Sequence, residues 1–379
     1  MSSVLGKLLK LAMCVLCLCL TAVMLLLLCT GSGRARRYDY SGELELDAGA
    51  QFDRIVFDAY DAATQTVLNV KKKYWLMDED KIAPAPNPEK RGTTKDPASL
   101  GWLLEEASEL LDGQDTLFQT DTNIAPGSTI YYYLDETIMS ITWKQGFGDT
   151  MYSITEVKIA DPSQFRRYLA GEKYDSNLFF YTTTMSAKTN AVVAISGDFY
   201  TFRPAGISVY EGVVRKPNGE YLDTCYIDKN GDMVFSYGGD LVGRKAIQEF
   251  VDENDIRFSV SFGPVLFENG KRVYTYEYLV GEINDTYARA ALAQRDELHY
   301  LLITANAEHP YYMTITLNEL ASAVEKMGVK HAYTLDGGQT AAMAVGGKLI
   351  NKVALGKQRP ISDILYFATA IPEIGEGVE

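Results

Sequence analysis

Two aspartates stand where a carboxylate can take part in chemistry. Asp336 follows the apolar segment His331–Leu335, and Asp198 follows a shorter apolar segment and a glycine. A carboxylate in such a position can act as a nucleophile or as a base for water. Asp is also common in turns, where it bonds only to nearby backbone. Both interpretations are open from the residues alone, and Asp336 is the first catalytic candidate, with Asp198 next.

Two arginines are candidates for binding an anion. Arg289 lies in the segment Tyr-Ala-Arg-Ala-Ala, and Arg359 precedes Pro360. A guanidinium group offers a bidentate fit to phosphate oxygens. Surface ion pairs are the alternative, since most arginines end in them. We expect Arg289 to act in catalysis as a phosphate partner and Arg359 to bind the same group.

Other residues beside these are candidates for substrate binding. They can contact groups of a substrate, or they can merely complete turns and structural hydrogen bonds. With Arg359, the substrate-binding set is Gly337, Gly338, Gln339, Thr340, Ser362, Asp363 and Phe199.

The elements around Asp336 favour a ligand site there. His299 begins an apolar strand, residues 316–327 have helical periodicity, and His331–Leu335 is again apolar. Strand, helix and strand in this order predict a βαβ unit with parallel strands and a right-handed crossover. Ligands bind at the carboxyl ends of strands in open α/β sheets. Asp336 would lie at such an end, and the following glycines permit a sharp turn.

The rest of the chain predicts an α+β fold with a mixed β-sheet and flanking helices. Residues 161–171 predict a short helix because Asp161 and Pro162 form a helix-start signal. Asn269-Gly270 and 228–231 are hairpin turn signals. The predicted strands are 130–134, 137–143, 153–159, 191–195, 207–214, 221–227, 233–237, 257–262, 265–267, 299–304, 331–335 and 364–368, and a further helix is predicted at 97–111.

The N-terminal part predicts a membrane attachment. Residues 11–30 are uncharged and long enough to cross a bilayer, which predicts a signal-anchor in segment 1–37, with a cleaved signal peptide as the alternative. Residues 48–74 have helical periodicity and 83–88 are Pro-rich, so 38–125 is predicted to be a helical stalk and spacer. Residues 126–379 would form the main domain, on the extracellular side of a cell membrane.

Charge and cysteine content exclude several classes of protein. The chain has 36 Lys and Arg against 50 Asp and Glu, a net charge of −14. This argues against nucleic-acid binding and means that an anion site needs its own local arginines. Four of the five cysteines lie in segment 1–37, leaving Cys225 alone. No zinc spacing is present, so we expect neither a metal nor a cofactor, and a lone thiol favours a bacterial cell surface.

Five segments in order resemble the phosphodiester glycosidase family. The segments lie between residues 194 and 363, and the resemblance covers roughly residues 125–370. Each segment alone is a weak indication of the family, whereas all five in this order are specific for it. The segments are Ala194-Ile195-Ser196-Gly197-Asp198-Phe199-Tyr200, Phe262-Gly263-Pro264, Tyr287-Ala288-Arg289-Ala290-Ala291, Leu335-Asp336-Gly337-Gly338-Gln339-Thr340-Ala341 and Arg359-Pro360-Ile361-Ser362-Asp363.

The resemblance implies hydrolysis of the bond between a sugar's anomeric carbon and a phosphate. The expected substrate is a cell-envelope glycan, phosphoglycan or exopolysaccharide. The chain departs from the family pattern where Asn306-Ala307-Glu308 replaces a common Asp-Gly-Arg, and where Ser196 and the residues after Gly338 differ. Loss of an acid and a base favours the alternative, a non-catalytic glycan-binding or envelope-assembly protein that keeps the fold.

Overall fold

Strands dominate the described part of the chain, as the alternating apolar pattern predicts. The computed structural model describes residues 82–120, 123–273, 285–306 and 315–370. The strands in chain order are β1 Arg91–Thr94, β2 Ile130–Leu134, β3 Ile138–Phe147, β4 Thr150–Ile159, β5 Phe165–Leu169, β6 Val193–Ser196, β7 Gly206–Tyr210, β8 Val213–Asn218, β9 Thr224–Asp228, β10 Met233–Ser236, β11 Ile256–Val260, β12 Val265–Glu268, β13 Lys271–Arg272, β14 Ala290–Asp296, β15 His299–Ala305, β16 His331–Leu335, β17 Met343–Val345, β18 Lys348–Leu349 and β19 Asp363–Phe367.

Helices are short and few within the same residues. They are α1 Gly101–Glu106, α2 Ser108–Leu111, α3 Leu117–Thr120, α4 Thr182–Lys188, α5 Arg244–Glu253 and α6 Leu317–Glu325. The α+β class is confirmed, but the predicted mixed β-sheet is wrong, because every strand pair among the described residues is antiparallel. The predicted helix 97–111 appears as one 3-10 turn followed by α1 and α2.

Three antiparallel sheets organise these strands. The large sheet has the order β1-β2-β3-β4-β15-β14-β16-β12-β13, the second sheet β10-β9-β11-β7-β8, and the third sheet β18-β17-β6-β19-β5. The main core lies between one face of the large sheet and the two smaller sheets, with Leu302, Ile195 and Ile227 as members. A second core fills the other face of the large sheet, where α6 packs through Leu320 and Val324.

The predicted βαβ unit is present in a split form. β15 and β16 both pair with β14 in antiparallel register, so they are parallel to each other but separated by one strand. The helix between them, α6, begins with a capping box in which the Thr316 and Glu319 side chains bond each other's backbone N–H groups. The rule for open α/β sheets does not apply to this antiparallel sheet, so a ligand site at the end of β16 has to be judged from the side chains there.

Two local predictions are wrong. Residues 161–171 do not form a helix: the Asp161 capping box closes only one 3-10 turn, and the chain continues as β5, paired with β19. The predicted strand 207–214 is a hairpin, because Glu211 and Gly212 both have positive φ, at 54° and 70°. Such a two-residue turn matches the twist of paired strands. The hairpins β2–β3, β9–β10 and β12–β13 are confirmed.

Part of the predicted stalk and spacer packs with the sheets. Leu100, Leu103 and Phe118 are members of the second core, and β1 pairs with β2. Residues 82–120 thus join the same folded body, and the predicted boundary at residue 126 does not separate them. The predicted membrane segment 11–30 and the helix 48–74 lie outside the described residues. Among those described, no helix has the length and hydropathy needed to span a membrane.

Candidate active site

Asp336 directly follows β16, and its carboxylate has one bonded and one open oxygen. Oδ1 accepts the backbone N–H of Gly337 at 2.9 Å, whereas Oδ2 accepts no hydrogen bond from the residues that the structure describes. Asp336 is only 7% exposed. Burial raises the pKa of this carboxyl from 3.8 to about 6, and the charge of Arg359, the nearby Thr340 hydroxyl and the Gly337 N–H oppose the rise. Because a buried polar atom without a partner is destabilising, Oδ2 marks a place where a ligand can supply one.

Two glycines allow the chain to turn tightly after Asp336. A Cβ atom at Gly337 would lie 2.7 Å from the carbonyl oxygen of Ala288, too close for any side chain. Gly338 has a φ of 71°, in the left-handed region that favours glycine. Its N–H donates to the same Ala288 oxygen at 2.7 Å, and the Thr340 hydroxyl donates to the Gly337 carbonyl at 2.6 Å. The turn is therefore fixed against the chain just before β14.

This turn also positions Arg359. The backbone N–H of Arg359 donates to the Gln339 carbonyl at 3.2 Å, and the Gln339 side-chain amide donates to the Lys357 carbonyl at 3.2 Å. Arg359 Nη2 is consequently 3.6 Å from Asp336 Oδ2. The Arg359 side chain is 46% exposed. A cation at the solvent boundary thus faces the open oxygen of a buried carboxylate.

Asp198 has a different environment, since both of its carboxylate oxygens are bonded to backbone. Oδ1 accepts the N–H of Phe199 at 2.6 Å, and Oδ2 accepts the N–H of Ser261 at 2.8 Å. Its own N–H donates to Asp363 Oδ1 at 3.0 Å. Asp198 therefore fixes the loop after β6 and places a negative charge near Asp336.

The ends of β6 and β16, which belong to different sheets, meet at Gly197. Its carbonyl accepts the Asp336 N–H at 3.5 Å, and the Ser196 hydroxyl donates to the Asp336 carbonyl at 3.4 Å. A Cβ atom at Gly197 would lie less than 3 Å from the Asp363 carboxylate. The approach of Asp363 to the backbone thus explains the glycine in the Ser-Gly-Asp sequence.

Asp363 is held by a buried ion pair with Arg167. Arg167 Nε lies 2.7 Å from Asp363 Oδ2, and both side chains are 0% exposed. Arg167 Nη1 also donates to the Ser259 carbonyl, and its guanidinium lies 5.2 Å from the ring centre of Tyr200. Burial raises the pKa of Asp363, and the Arg167 charge opposes that rise. A buried ion pair requires such additional hydrogen bonds to offset desolvation.

Arg289 lies next to this site in the backbone, but its guanidinium group donates hydrogen bonds to carbonyls away from Asp336. Its Nη2 donates to the Asp285 carbonyl at 2.8 Å, and its Nε donates to the Ile315 carbonyl at 3.4 Å. Ile315 belongs to the second core, on the helix-covered face of the large sheet. Arg289 therefore fastens two chain segments together, and Arg359 is the arginine that faces Asp336.

The remaining candidates surround these groups. The Phe199 ring contacts two guanidinium groups, with Arg359 Cζ at 5.4 Å and Arg203 Cζ at 5.7 Å from its centre. Ser362 is 2% exposed, and its hydroxyl has no hydrogen-bond partner among the described residues. The structure thus brings together the predicted site residues except the Arg289 guanidinium.

Arg167, which holds Asp363 in this site, was not among the residues predicted from the sequence. In a strand, alternate residues share a face, so Arg167 lies on the same side of β5 as the buried Phe165 and Leu169. The helix predicted for 161–171 concealed this alternation. The sequence Phe-Arg-Arg-Tyr-Leu, if interpreted as a strand, would have placed Arg167 on the face of Phe165 and Leu169 and indicated a buried carboxylate partner. Arg166 points to the opposite face and is buried as well.

Asn306 occupies the position where the family pattern has an aspartate. It is 0% exposed, and its Oδ1 accepts the Ser153 hydroxyl at 3.1 Å. Its Nδ2 has no hydrogen-bond partner among the residues described. Within the same residues, no group of three or more His, Cys, Asp or Glu side chains is arranged to hold a metal ion.

Comparison with known proteins bears on the same segment. Residues 189–368 match the model of the phosphodiester glycosidase family. The resemblance is confirmed for this part of the chain, which contains Asp198, Arg359 and Asp336, whereas Arg167 precedes it. The catalytic domain of zebrafish N-acetylglucosamine-1-phosphodiester alpha-N-acetylglucosaminidase, auto-inhibited by its pro-peptide, has a similar fold: TM-score 0.51, 19% identity, covering 62% of this chain and 84% of that one.

A curated relative extends the match to a bacterium. The SPbeta prophage-derived uncharacterized protein YomE of Bacillus subtilis (strain 168) is 26% identical over 186 residues, which is 48% of this chain and 28% of that protein. The match thus spans little more than a quarter of the relative. The match of residues 189–368 to the phosphodiester glycosidase model suggests hydrolase activity on phosphodiesters.

Proposed function

We propose that this protein hydrolyses the bond between a sugar's anomeric carbon and a phosphate diester in a cell-envelope glycan or exopolysaccharide. One observation carries the proposal: the open Oδ2 of buried Asp336 lies 3.6 Å from the half-exposed Arg359 guanidinium. A carboxylate and a phosphate-binding cation side by side match the two ends of a glycosyl phosphate bond.

The chemistry requires one reactive carboxylate. A phosphate is a good leaving group, so the general acid that most glycosidases use is dispensable here. The oxocarbenium-like anomeric carbon needs a carboxylate as nucleophile or as base for water, and Asp336 supplies it. The bond from the anomeric carbon to the phosphate oxygen breaks, and the electron pair remains on the phosphate. Water supplies the new sugar hydroxyl and releases one proton to solvent.

The charges fit this assignment. With a pKa of about 6, Asp336 is mostly ionised at neutral pH. Arg359 can neutralise the charge that develops on the leaving phosphate, because guanidinium pairs bidentately with phosphate oxygens. Asp198 and Asp363 have their oxygens committed to backbone N–H groups and to Arg167, so we assign them to positioning.

Non-catalytic glycan binding is the second candidate. Asn306 favours it, because an amide cannot replace an acid in proton transfer. The same side-chain cluster would then bind a phosphoglycan without cleaving it.

We further propose that the reaction takes place on the extracellular side of a cell membrane. The support is the uncharged segment 11–30 with flanking basic residues. Protease treatment of intact cells should remove the domain and leave cytoplasmic proteins intact. A domain that resists protease until the cells are lysed would contradict this location.

The test of function uses the full-length protein and nitrophenyl-phosphate diesters of a hexose and of an N-acetylhexosamine, in water enriched in ¹⁸O. Release of sugar with no ¹⁸O in the nitrophenyl phosphate supports cleavage at the anomeric carbon. Incorporation of ¹⁸O into the phosphate would identify a phosphodiesterase and contradict the proposal. Saturable binding without release, over a panel of sugars, would support the second candidate.

A further inference from the structure

A second cationic site lies beside the proposed active site, in a pocket of about 500 Å³. Its wall includes the cations Arg203, Arg215 and Lys216 and the rings of Tyr174, Tyr200 and Phe202. Asp175 is the acidic member of the lining. A basic pocket is unexpected in a chain with a net charge of −14, because the overall field repels anions.

Two of the three cations of this pocket have capacity for a ligand, whereas Arg215 Nη2 lies 3.7 Å from the Glu211 carboxylate. Within the described residues, neither Arg203 nor Lys216 is paired with a carboxylate. Arg203 is half-buried, and its Nη1 donates to the Phe262 carbonyl at 3.1 Å. The Lys216 ammonium donates to the carbonyls of Tyr200 and Arg203, which leaves one of its three N–H groups for another acceptor. Burial lowers the pKa of Lys216, while the charge of Asp198 opposes this.

One side chain connects the pocket to the proposed active site. Arg203 and Arg359 both contact the ring of Phe199, at 5.7 Å and 5.4 Å from its centre. Arg203 lines the pocket, and Arg359 faces Asp336. The two guanidinium groups are therefore close enough for one short ligand with two anionic groups. Phe202 lines the pocket and is 47% exposed, so it offers an apolar surface to a sugar ring.

We propose that the Arg203–Lys216 pocket binds a second anionic group of the substrate, so that the preferred substrate is a glycan with a further phosphate or carboxylate next to the scissile phosphodiester. This rests on the proposed function, since it extends the site of Asp336 and Arg359. A polyanionic chain would occupy both cationic sites at once. Binding at two linked sites exceeds binding at either alone.

The test measures binding of two commercial probes to the full-length protein by calorimetry. Glucose 1,6-bisphosphate should bind roughly 10- to 100-fold more tightly than glucose 1-phosphate, as expected for one extra charge-assisted contact. Arg203→Gln should remove most of this preference, and Arg215→Gln should reduce it. Arg359→Gln should weaken both probes. Lys245→Met, on an exposed part of α5, should change neither.

The outcomes separate this inference from the proposed function. Equal affinity for the two probes, or a preference unchanged in Arg203→Gln and Arg215→Gln, would overturn the second anion site even if the diesters are hydrolysed. A preference that disappears in Arg203→Gln while no diester is hydrolysed would support the site and contradict the hydrolase. If Arg203→Gln fails to fold, the exposed Arg215→Gln variant decides by the same comparison.

Discussion

Nη2 of Arg359 lies 3.6 Å from Oδ2 of Asp336, and the two side chains differ in exposure, 46% against 10%. The carboxylate is buried enough for its pKa to rise, whereas the guanidinium remains accessible to an incoming anion. A phosphate that binds Arg359 would bring its attached anomeric carbon to the open carboxylate oxygen.

The pH dependence of turnover should follow the ionisation of Asp336. Burial raises the pKa of this carboxyl to about 6, and the reaction needs its ionised form. We expect kcat/KM to be constant above pH 7 and to fall about tenfold per pH unit below pH 6. Initial rates between pH 4.5 and 8 check this. A flat profile down to pH 5 would show that the titrating group is another one.

Arg167→Met should destabilise the fold strongly. The substitution leaves the fully buried Asp363 carboxylate without its cation, and breaking a buried pair in this way costs about 3–5 kcal/mol. Urea unfolding monitored by circular dichroism measures the loss. Lys330→Met is the matched control, because its partner Asp296 is exposed and exposed pairs contribute little. Equal midpoints for the two variants would refute the role assigned to Arg167.

Gly197→Ala should impair activity by displacing Asp363. The added Cβ would lie within 3 Å of that carboxylate, which also receives the Asp198 N–H. We expect at least a tenfold loss in kcat/KM together with reduced stability, since overpacking costs about 1–3 kcal/mol. Gly146→Ala in β3 is the control, because nothing lies within 4 Å of its added Cβ. Comparable losses in both variants would point to a general strand effect.

Substitution of Arg359 should reduce mainly activity, whereas substitution of Arg289 should reduce mainly stability. Arg359→Gln should lower kcat/KM on phosphodiesters roughly 10- to 100-fold with little change in stability, because a charge-assisted contact to phosphate is lost. Arg289→Gln should act mainly on stability, since Arg289 bonds to the carbonyls of Asp285 and Ile315. Measuring kcat/KM and the unfolding midpoint of both variants tests this difference. The reverse pattern would return the phosphate role to Arg289.

Local sequence signals predicted the parts of the site that depend on one segment. The position of Asp336 after a strand and before two glycines was evident, because chain direction and glycine freedom are local properties. The hairpin turn at Asn269-Gly270 was evident for the same reason. The split of the βαβ unit by β14 was not, since strand order in a sheet depends on long-range pairing.

The supporting parts of the site depended on contacts between distant segments. Arg167 and Asp363 are 196 residues apart in sequence, and a mistaken helix concealed the buried face of β5. The role of Asp198 depends on the Ser261 N–H, a backbone group whose identity leaves no trace in the sequence. Composition indicated that an anion site needs local arginines, but it could not reveal that Arg203 would share the Phe199 ring with Arg359.

The most direct test of the central assignment is kcat/KM of Asp336→Asn on a hexose nitrophenyl-phosphate diester at pH 8. We predict a loss of about 10²- to 10⁴-fold, because the amide cannot act as nucleophile or base. The fold should persist: ionising a buried carboxyl whose pKa is raised from 3.8 to about 6 destabilises the protein as pH rises, so the neutral variant should unfold at an equal or higher temperature at pH 8. Activity within threefold of the unsubstituted protein would contradict the assignment of Asp336 as the reacting carboxylate.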